Sequence, residues 1–513
     1  RDLHVRSRRQ RQMCIRDRQS NIMVKFLGTN DAEKAGDYNL SNIDLINHRG
    51  EAVDLKYVVV EMNIYESIYK NAVTGSIVIA DAKNQIGRLE IQGLERIAFK
   101  LSSPGTKEAD DILDASVETG EPFHVYKITD RKQVNQGLLV YTLHFASREF
   151  MRNLRTKVSQ AYNGRLDMAV QKILRDEKYI DTRKRLKYEK TGNSDKIVIP
   201  NLRPFDAIQM IANRSIPEKS DAGVGYFFYQ TVKGFRFRSW ESMVSNQGSS
   251  LRKPKQKFYY MPLKHKDDSI ENKIEHDYKS VQSYRFINNF HDVAANTVLG
   301  TYAHKVISYN FFDKSVTSPE YNYHTEYQRT RHTDFENSTK DDNKHPISGG
   351  PVDYDNERNI SEYPESRISL QGTTQFLHNK AKGAKYGLDV EQDGVLDSQR
   401  ISQRNQIIHG TTLKLVVKGQ SYLEPGDLIE FALRPVDSDK VDVEEDSRYG
   451  GQYIITKIRH QIANDTYVMV MECCKDSIMT PAYAGRPEYK ASKRKGDLED
   501  IYDSSTNIYN RHN

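Results

Sequence analysis

Fifteen histidines, three cysteines and 70 carboxylates could carry chemistry in this chain, and their spacing decides whether they do. His460 closes the run Ile454-Ile455-Thr456-Lys457-Ile458-Arg459-His460, at an expected strand end before a hairpin. A general base needs a nucleophile or acid within hydrogen-bond reach. No partner stands at a defined spacing from His460, so a structural role is expected. His144 falls on the polar face of the alternating run Leu138–Ala146 and reads as a surface residue. His324, His332 and His345 would offer imidazoles to a metal, but their spacing matches no ligand motif, and they read as solvated loop histidines. Glu95 reads as a solvated strand residue rather than a catalytic acid. Phosphate loops, dinucleotide glycine sets, nucleophile elbows, zinc helices and calcium loops have no match. No carboxylate pair stands out as a glycosidase acid. Cys473 and Cys474 are adjacent, Cys14 is remote, and no paired-cysteine motif occurs, which suits a reducing cytoplasm. The expectation is a chain with no catalytic, cofactor-binding or metal-binding residue, and not an enzyme.

The elements behind these residues are mostly strands. Tyr57 to Ile64 is rich in β-branched residues, with Val58, Val60, Met62 and Ile64 expected on one face. Ile64, Ile68 and Ala72 have helical spacing, which predicts one or two turns over 65–72. Asn71 to Gly75 supplies a turn, and Gly75–Ala80, Ile97–Leu101, Phe123–Ile128 and Leu138–Ala146 read as further strands. Gly75 and Gly93 read as turn or bulge glycines. Arg148 to Tyr179 reads as helical, with Leu166, Ala169, Val170, Ile173 and Leu174 at three- and four-residue spacing, a start signal at Asn163-Gly164 and a stop at Tyr179-Ile180-Asp181. Ile197–Pro200 is an apolar strand, Asp206 falls in the first turn of a second helix, and Gly225–Gln230 opens a hairpin. Residues 313–389 are rich in Ser, Asn, Asp, Glu and Pro, and read as an irregular insertion on the outside. Leu396–His409 predicts a short helix with the polar run Asp397–Gln406 facing water. Leu413–Val417, Leu428–Phe431, Gly450–His460 and Tyr467–Glu472 read as strands, with a tight turn at Pro425-Gly426-Asp427.

Apolar residues make up 37% of the 513, and tyrosines number 31 against one tryptophan, a balance that suits half-buried strand faces. The net charge of +6 is concentrated at one end. Residues 1–22 hold seven arginines and two aspartates, a balance of +5 that leaves +1 for the rest. That body is near neutral and makes no case for nucleic-acid binding. Residues 1–22 resemble translated sequencing-adapter sequence, with Met23 the expected start and no role in the fold. No apolar run reaches the ~18 residues of a membrane span, and no apolar signal-peptide core follows the arginines.

Three stretches carry a family resemblance. Tyr65, Glu66, Ser67, Thr74, Gly75, Gly93 and Glu95, in their order of strand, turn and strand, resemble the first barrel of baseplate hub proteins of contractile-tailed phages, shared by the trimeric spikes of type VI secretion. Pro204-Phe205-Asp206 through Ala212, followed by Gly225-Tyr226-Phe227-Phe228, is similar to the middle of those proteins. Pro425-Gly426-Asp427-Leu428-Ile429-Glu430-Phe431, then Gly451-x-Tyr453-x-Ile455-x-x-Ile458-x-His460, resembles their second tube-like barrel. The resemblance covers most of residues 50–480 and is absent at 313–389.

The resemblance implies a mainly β fold with an α+β middle domain and two tube-like β-barrels per subunit. Its domains would be an artefact or arm at 1–22, a first barrel at 23–150, and a middle domain at 151–254. A second barrel would be built from 255–312 and 400–480, interrupted by the insertion 313–399, with a flexible tail at 481–513. The function implied is a structural, homotrimeric hub joining a six-fold tail tube to a three-fold central spike around a DNA channel. Its partners would be the tail-tube protein, a central spike or spike-lysozyme, the tape-measure protein and baseplate wedge proteins. Specific nucleic-acid binding and a membrane span are not implied. The setting would be the virion tail baseplate, assembled in the host cytoplasm. The alternatives are a tail-associated polysaccharide-degrading enzyme, with 313–389 as a lid, and the equivalent hub of a bacterial contractile injection system.

Overall fold

The computed structural model describes residues 34–478, apart from internal stretches of which the longest are 83–90, 105–112, 261–269, 335–346, 373–392 and 434–445. The expectations for residues 1–22, for His345 and for the tail 481–513 lie outside the described residues. In chain order, β1 (Val59–Ser67), β2 (Thr74–Asp81), β3 (Phe123–Asn135) and β4 (Leu138–Ala146) come first. A middle section follows, with α1 (Arg148–Arg155), β5 (Val158–Arg165), α2 (Leu166–Arg175), β6 (Ser194–Leu202), α3 (Pro204–Ala212), the hairpin β7 (Tyr226–Thr231) and β8 (Gly234–Ser239), and α4 (Trp240–Val244). The last section holds β9 (Val281–Asn288), β10 (Ala303–Tyr309), β11 (Ile368–Gly372), α5 (Asp393–Ile408), β12 (Thr411–Lys418), β13 (Leu428–Ala432), β14 (Gly451–Ala463) and β15 (Thr466–Lys475). The chain is mainly β with a helical part in the middle.

Two four-stranded units are built alike. The first has the spatial order β1-β2-β4-β3, and the second β9-β12-β15-β14. In each unit the first, second, fourth and third strands in sequence lie side by side. The likeness extends to two of the bulges, while the slips at Leu138/Leu139 and Val140/Thr142 in the first unit and at Phe286/Asn288 in the second have no counterpart. The register slips between Val59 and Glu61 in β1, and between Val281 and Ser283 in β9. It slips again between His144 and Phe145 in the β3–β4 ladder, and between Ile455 and Lys457 in the β14–β15 ladder. A bulge adds one residue to one strand and bends it, so matched bulges bend both units at matched places.

No continuous ladder closes around either unit among the described residues, although beyond β14 the second unit continues through β13 and the strand Gln256–Tyr259 to a single bridge, Tyr259 to Ser280, beside β9. β14 pairs antiparallel with β1, and both units run on as one 13-stranded sheet. One apolar core lies under its whole width, from Met62, Ile64, Ile77, Tyr141 and Leu143 to Leu415, Ile458, Met469 and Met471. The period of two in each strand produces this one-sided burial. The middle section has its own core, in which Val170, Ile173, Phe205 and Ile208 pack under Phe228 and Phe235.

Several sequence expectations are corrected. β1 continues to Ser67, and no helix forms over 65–72. The bulge after Val59 turns Val60 outward, where it is 50% exposed, so the core face of β1 is Met62 and Ile64 without Val60. Arg148 to Tyr179 is two helices separated by β5, which pairs with β6, and the residues with helical spacing form the second helix, Leu166–Arg175. The polar run of α5 does not face water. Ser398, Gln399, Ser402, Gln403, Asn405 and Gln406 are buried. Ser402 donates to Thr301 O at 3.1 Å, and Asn405 Nδ2 to Leu299 O at 2.7 Å, so this polar face satisfies backbone carbonyls.

Gly75 is not a turn glycine. It lies inside β2, under Phe145 of β4, and a Cβ there would come within 2.2 Å of Phe145 Cζ and 2.5 Å of Asn63 O. Gly75→Ala is expected to cost about 1–3 kcal/mol by overpacking. Pairing it with Phe145→Leu, which withdraws the ring edge, is expected to recover part of the loss in chemical denaturation. An alanine variant as stable as the parent contradicts this packing.

Candidate functional site

The feature that ties the two units together is the seam between β14 and β1. Seven pairs span it, from Lys457 opposite Ser67 to Ala463 opposite Glu61. The side of the seam away from the core is polar. Arg459 Nε donates to Asn63 Oδ1 at 2.8 Å, and Arg459 Nη2 to Glu61 Oε1 at 3.0 Å. Gln461 Nε2 donates to the same Glu61 oxygen at 3.0 Å. On the same face Lys457 Nζ pairs with Glu472 at 2.5 Å. Side chains two residues apart point to one face of a strand, which is why Glu61, Asn63, Arg459 and Gln461 meet.

The core side of the seam holds Glu66 and His460, both buried. His460 Nδ1 lies 2.7 Å from Tyr467 Oη, and His460 Nε2 lies 3.9 Å from Glu66 Oε1. The tip of the β7–β8 hairpin reaches in, and Val232 N donates to Glu66 Oε1 at 2.9 Å. Burial pushes the Glu66 carboxyl up to about 8, and the nearby Glu424 adds to this. Burial, with Lys233 nearby, pushes His460 down to about 4. Between those values the proton sits on Glu66, so two neutral groups face each other.

Beside them, Arg236 of β8 binds Glu424 Oε2 at 2.5 Å, and Thr231 Oγ1 donates to the same oxygen at 3.1 Å. Glu424 opens the Pro425-Gly426-Asp427 corner. Gly426 has φ +88°, and a Cβ there would meet Tyr229 Oη at 2.2 Å. Gly426 N donates to Ile455 O at 2.8 Å, and Ile455 N to Asp427 O at 2.9 Å, so the corner is fastened to β14. The middle section therefore buttresses the seam through the two stretches that sequence singled out separately.

Two edges of the sheet stay open among the described residues. β9 has a ladder on one side only, with β12, and Ser280 just before it makes a single parallel bridge to Tyr259. The outer side of β3 is paired at Phe123 and His124 by the short strand Arg96–Ala98, Val125 N donates to Glu95 O at 2.8 Å, and past Val125 no ladder partner lies on that side among the described residues. β3 occupies in the first unit the position that β14 occupies in the second, and β9 the position of β1.

The other singled-out residues serve the fold. Glu95 is fully buried and accepts from the backbone N–H groups of Gln92, Gly93 and Leu94 at 2.7, 2.8 and 3.0 Å, which corrects the solvated reading. Gly93 has φ +91° and makes that turn possible. His144 lies 2.8 Å from Thr129 Oγ1 across the β3–β4 hairpin. His324 Nδ1 lies 2.8 Å from Ser361 Oγ. His332 is buried rather than solvated, with Nδ1 2.9 Å from Asp476 Oδ2 and Nε2 2.7 Å from Tyr327 O. Tyr321, Tyr323, Tyr327 and Ile360, from the section expected to be irregular, form a small core with Tyr302. Asp476 went unnoticed in the sequence, because one Asp after a strand carries no signal for donors on three distant residues. Among the described residues no group of three or more His, Cys, Asp and Glu is placed to hold a metal, and no helix is long and apolar enough to cross a membrane.

No protein-family model and no curated protein matches the chain. Among solved structures, it is similar to a tail protein from Neisseria meningitidis MC58, with 10% identity, 86% of this chain and 97% of that one covered, and a TM-score of 0.44. It is also similar to the 43 kDa tail protein of prophage MuSo2 from Shewanella oneidensis, with 8% identity, coverages of 85% and 98%, and a TM-score of 0.44. A component of the type VI secretion system of E. coli is similar at 11% identity, coverages of 84% and 78%, and a TM-score of 0.35.

Proposed function

We propose that this chain is a structural hub of a contractile phage tail baseplate, a homotrimeric adaptor between a six-fold tail tube and a three-fold spike around a DNA channel. The observation that carries the reading is the seam: a four-stranded unit joined to a second of the same order, with most of each matching edge left without a ladder among the described residues. An exposed strand edge pairs with whatever chain it meets unless covered. Repeating the β14–β1 contact between copies would pair β3 of one with β9 of the next, and a head-to-tail contact that closes makes a ring. Three copies supply six units, while the single middle section of each keeps the symmetry at three. The partners of such a ring are the tail-tube protein on one side and a spike or spike-lysozyme on the other, with tape-measure and wedge proteins nearby. The setting is the tail baseplate of the virion, and the reading gives the chain no catalytic role.

The matched bulges transfer the register. Ile458 and Arg459 correspond to Ile128 and Thr129, and Glu66 and Tyr65 to Asn288 and Ile287. The contact between copies is then expected to set Thr129 opposite Ile287. Facing side chains in an antiparallel pair have Cβ atoms about 4.5–5.5 Å apart, close enough for cysteines to join. On a Cys14→Ser background, the pair Thr129→Cys and Ile287→Cys is expected to give covalent dimers and trimers under mild oxidation, and each single variant dimers at most. A particle that stays at the monomer mass, with both new thiols open to maleimide and no cross-link, would refute the ring.

A further inference from the structure

Over the eight strands of the two units, the face of the sheet turned away from the core carries an excess of cations that whole-chain charge conceals. Following the ladders outward from the seam identifies its members. Arg459 and Gln461 stand opposite Tyr65 and Asn63. Across β15, Lys457 faces Glu472, which faces Lys414, which faces Arg285 on β9. Lys418 faces Val468 in the next row. On the other flank His144 faces Lys127, and Val140 faces Lys132. Seven cations thus share the face, Lys127, Lys132, Arg285, Lys414, Lys418, Lys457 and Arg459, against the carboxylates Glu61, Asp130 and Glu472.

Two of the seven are neutralised locally, Lys457 by Glu472 and Arg459 by Glu61. Lys127, Lys132, Arg285, Lys414 and Lys418 make no ion pair among the described residues. Between them the surface is short and smooth, made of Thr74, Ser76, Val78, Thr142, Val416, Val468 and Val470. Among the described residues no row of aromatic rings lies between them on this surface. Its backbone is used up in the ladders, so no added strand can pair there. A peptide would need pockets or an edge. A phosphate backbone needs only point charges, and lysine supplies those without fixed geometry.

We infer that this face contacts double-stranded DNA through its phosphates, weakly and without regard to sequence. The inference rests on the ring proposed above, in which the bare face of the sheet becomes the channel wall. Eight strands from each of three copies, spaced about 4.8 Å apart, give a circumference of roughly 115 Å and a backbone diameter of roughly 37 Å. The near-neutral reading of the whole chain is therefore corrected locally: the acids that balance its lysines lie elsewhere. A wall of sparse, unpaired lysines attracts a duplex by counterion release and lets it slide, because no contact specifies a base.

The test uses the full chain, a fluorescent duplex of roughly 30 base pairs, and anisotropy between about 50 and about 200 mM salt. The expected result is binding at the lower salt that falls at least about tenfold at the higher. The variant carrying K127Q, K132Q, K414Q and K418Q is expected to lose at least about tenfold in affinity and to show a shallower salt slope. No binding by the parent, or equal binding by parent and variant, overturns the inference. Tighter binding of poly-glutamate than of duplex at the same salt also overturns it, in favour of an acidic polypeptide. Solution mass, measured on the same samples, reads the ring separately. A trimer that ignores DNA refutes only the channel-wall contact, and a monomer whose binding depends on these lysines refutes only the ring.

Discussion

Replacing Asp476 by alanine is expected to destabilise the protein by about 3–5 kcal/mol, the range for breaking a buried, hydrogen-bonded charge cluster by removing one partner. Asp476 stands just beyond β15 and is fully buried. Its Oδ2 accepts from Trp240 Nε1 at 3.2 Å and His332 Nδ1 at 2.9 Å. Its Oδ1 accepts from Thr333 N at 3.1 Å and Thr333 Oγ1 at 3.2 Å. Burial alone would raise its pKa, but His332 and these donors outweigh it and hold the carboxyl below its ordinary range. One side chain thus joins the end of the second unit, the middle section and the stretch around His332. Alanine removes the acceptor of four buried donor groups on Trp240, His332 and Thr333, and each left unpaired costs its desolvation. Trp240 is the only tryptophan, so its emission reports on this cluster during urea unfolding. The expected signature is an earlier Trp240 transition and faster proteolysis between 323 and 334. Asp476→Asn, which keeps an acceptor oxygen, is expected to lose less. An alanine variant within about 0.5 kcal/mol of the parent would show that the cluster is not structural.

Raising the pH from about 6.5 to about 8 is expected to lower stability by about 2 kcal/mol, through Glu66 alone. The carboxyl is pushed up to about 8 in the folded chain, from 4.5. Between those values the folded state holds a proton that the unfolded state releases. The associated stability is complete below the unfolded value and is lost as pH rises through the folded one. His460, pushed down to about 4 from 6.5, acts in the opposite direction. Its share is complete above 6.5 and is lost as pH falls through 4. The two therefore oppose each other between about 4.5 and 6.5, and only Glu66 acts above. Glu66→Gln keeps an acceptor for Val232 N and cannot ionise, so its stability is expected to stay flat over that upper window. A variant that falls as steeply as the parent would locate the titration elsewhere.

Much of the local structure was legible in the residues. Strands such as Leu138–Ala146 and Leu413–Val417 show the period of two, and ladders on both sides reinforce what the pattern already favours. The Pro425-Gly426-Asp427 corner follows from a fixed φ and a permitted positive one. These signals are local, so one sequence suffices to read them. Expectations failed where a distant partner decided the outcome. Val158–Arg165 falls inside the stretch read as helical and is a strand because β6 offers it a ladder. The glutamines and serines of α5 look solvent-facing and are buried because the carbonyls of Leu299 and Thr301 need donors. His332 sits in a polar loop and is buried because Asp476, 144 residues away, receives it. The same holds for the seam. Nothing in Tyr57–Ser67 or Gly451–Ala463 alone says that these strands pair, nor that their bulges match those of β9 and β3. Sequence determined which faces were apolar and where the chain turns, because those depend on neighbours along the backbone. Tertiary structure decided which polar groups are buried and which edges meet, because a hydrogen bond is satisfied by proximity in space, whatever the separation along the chain.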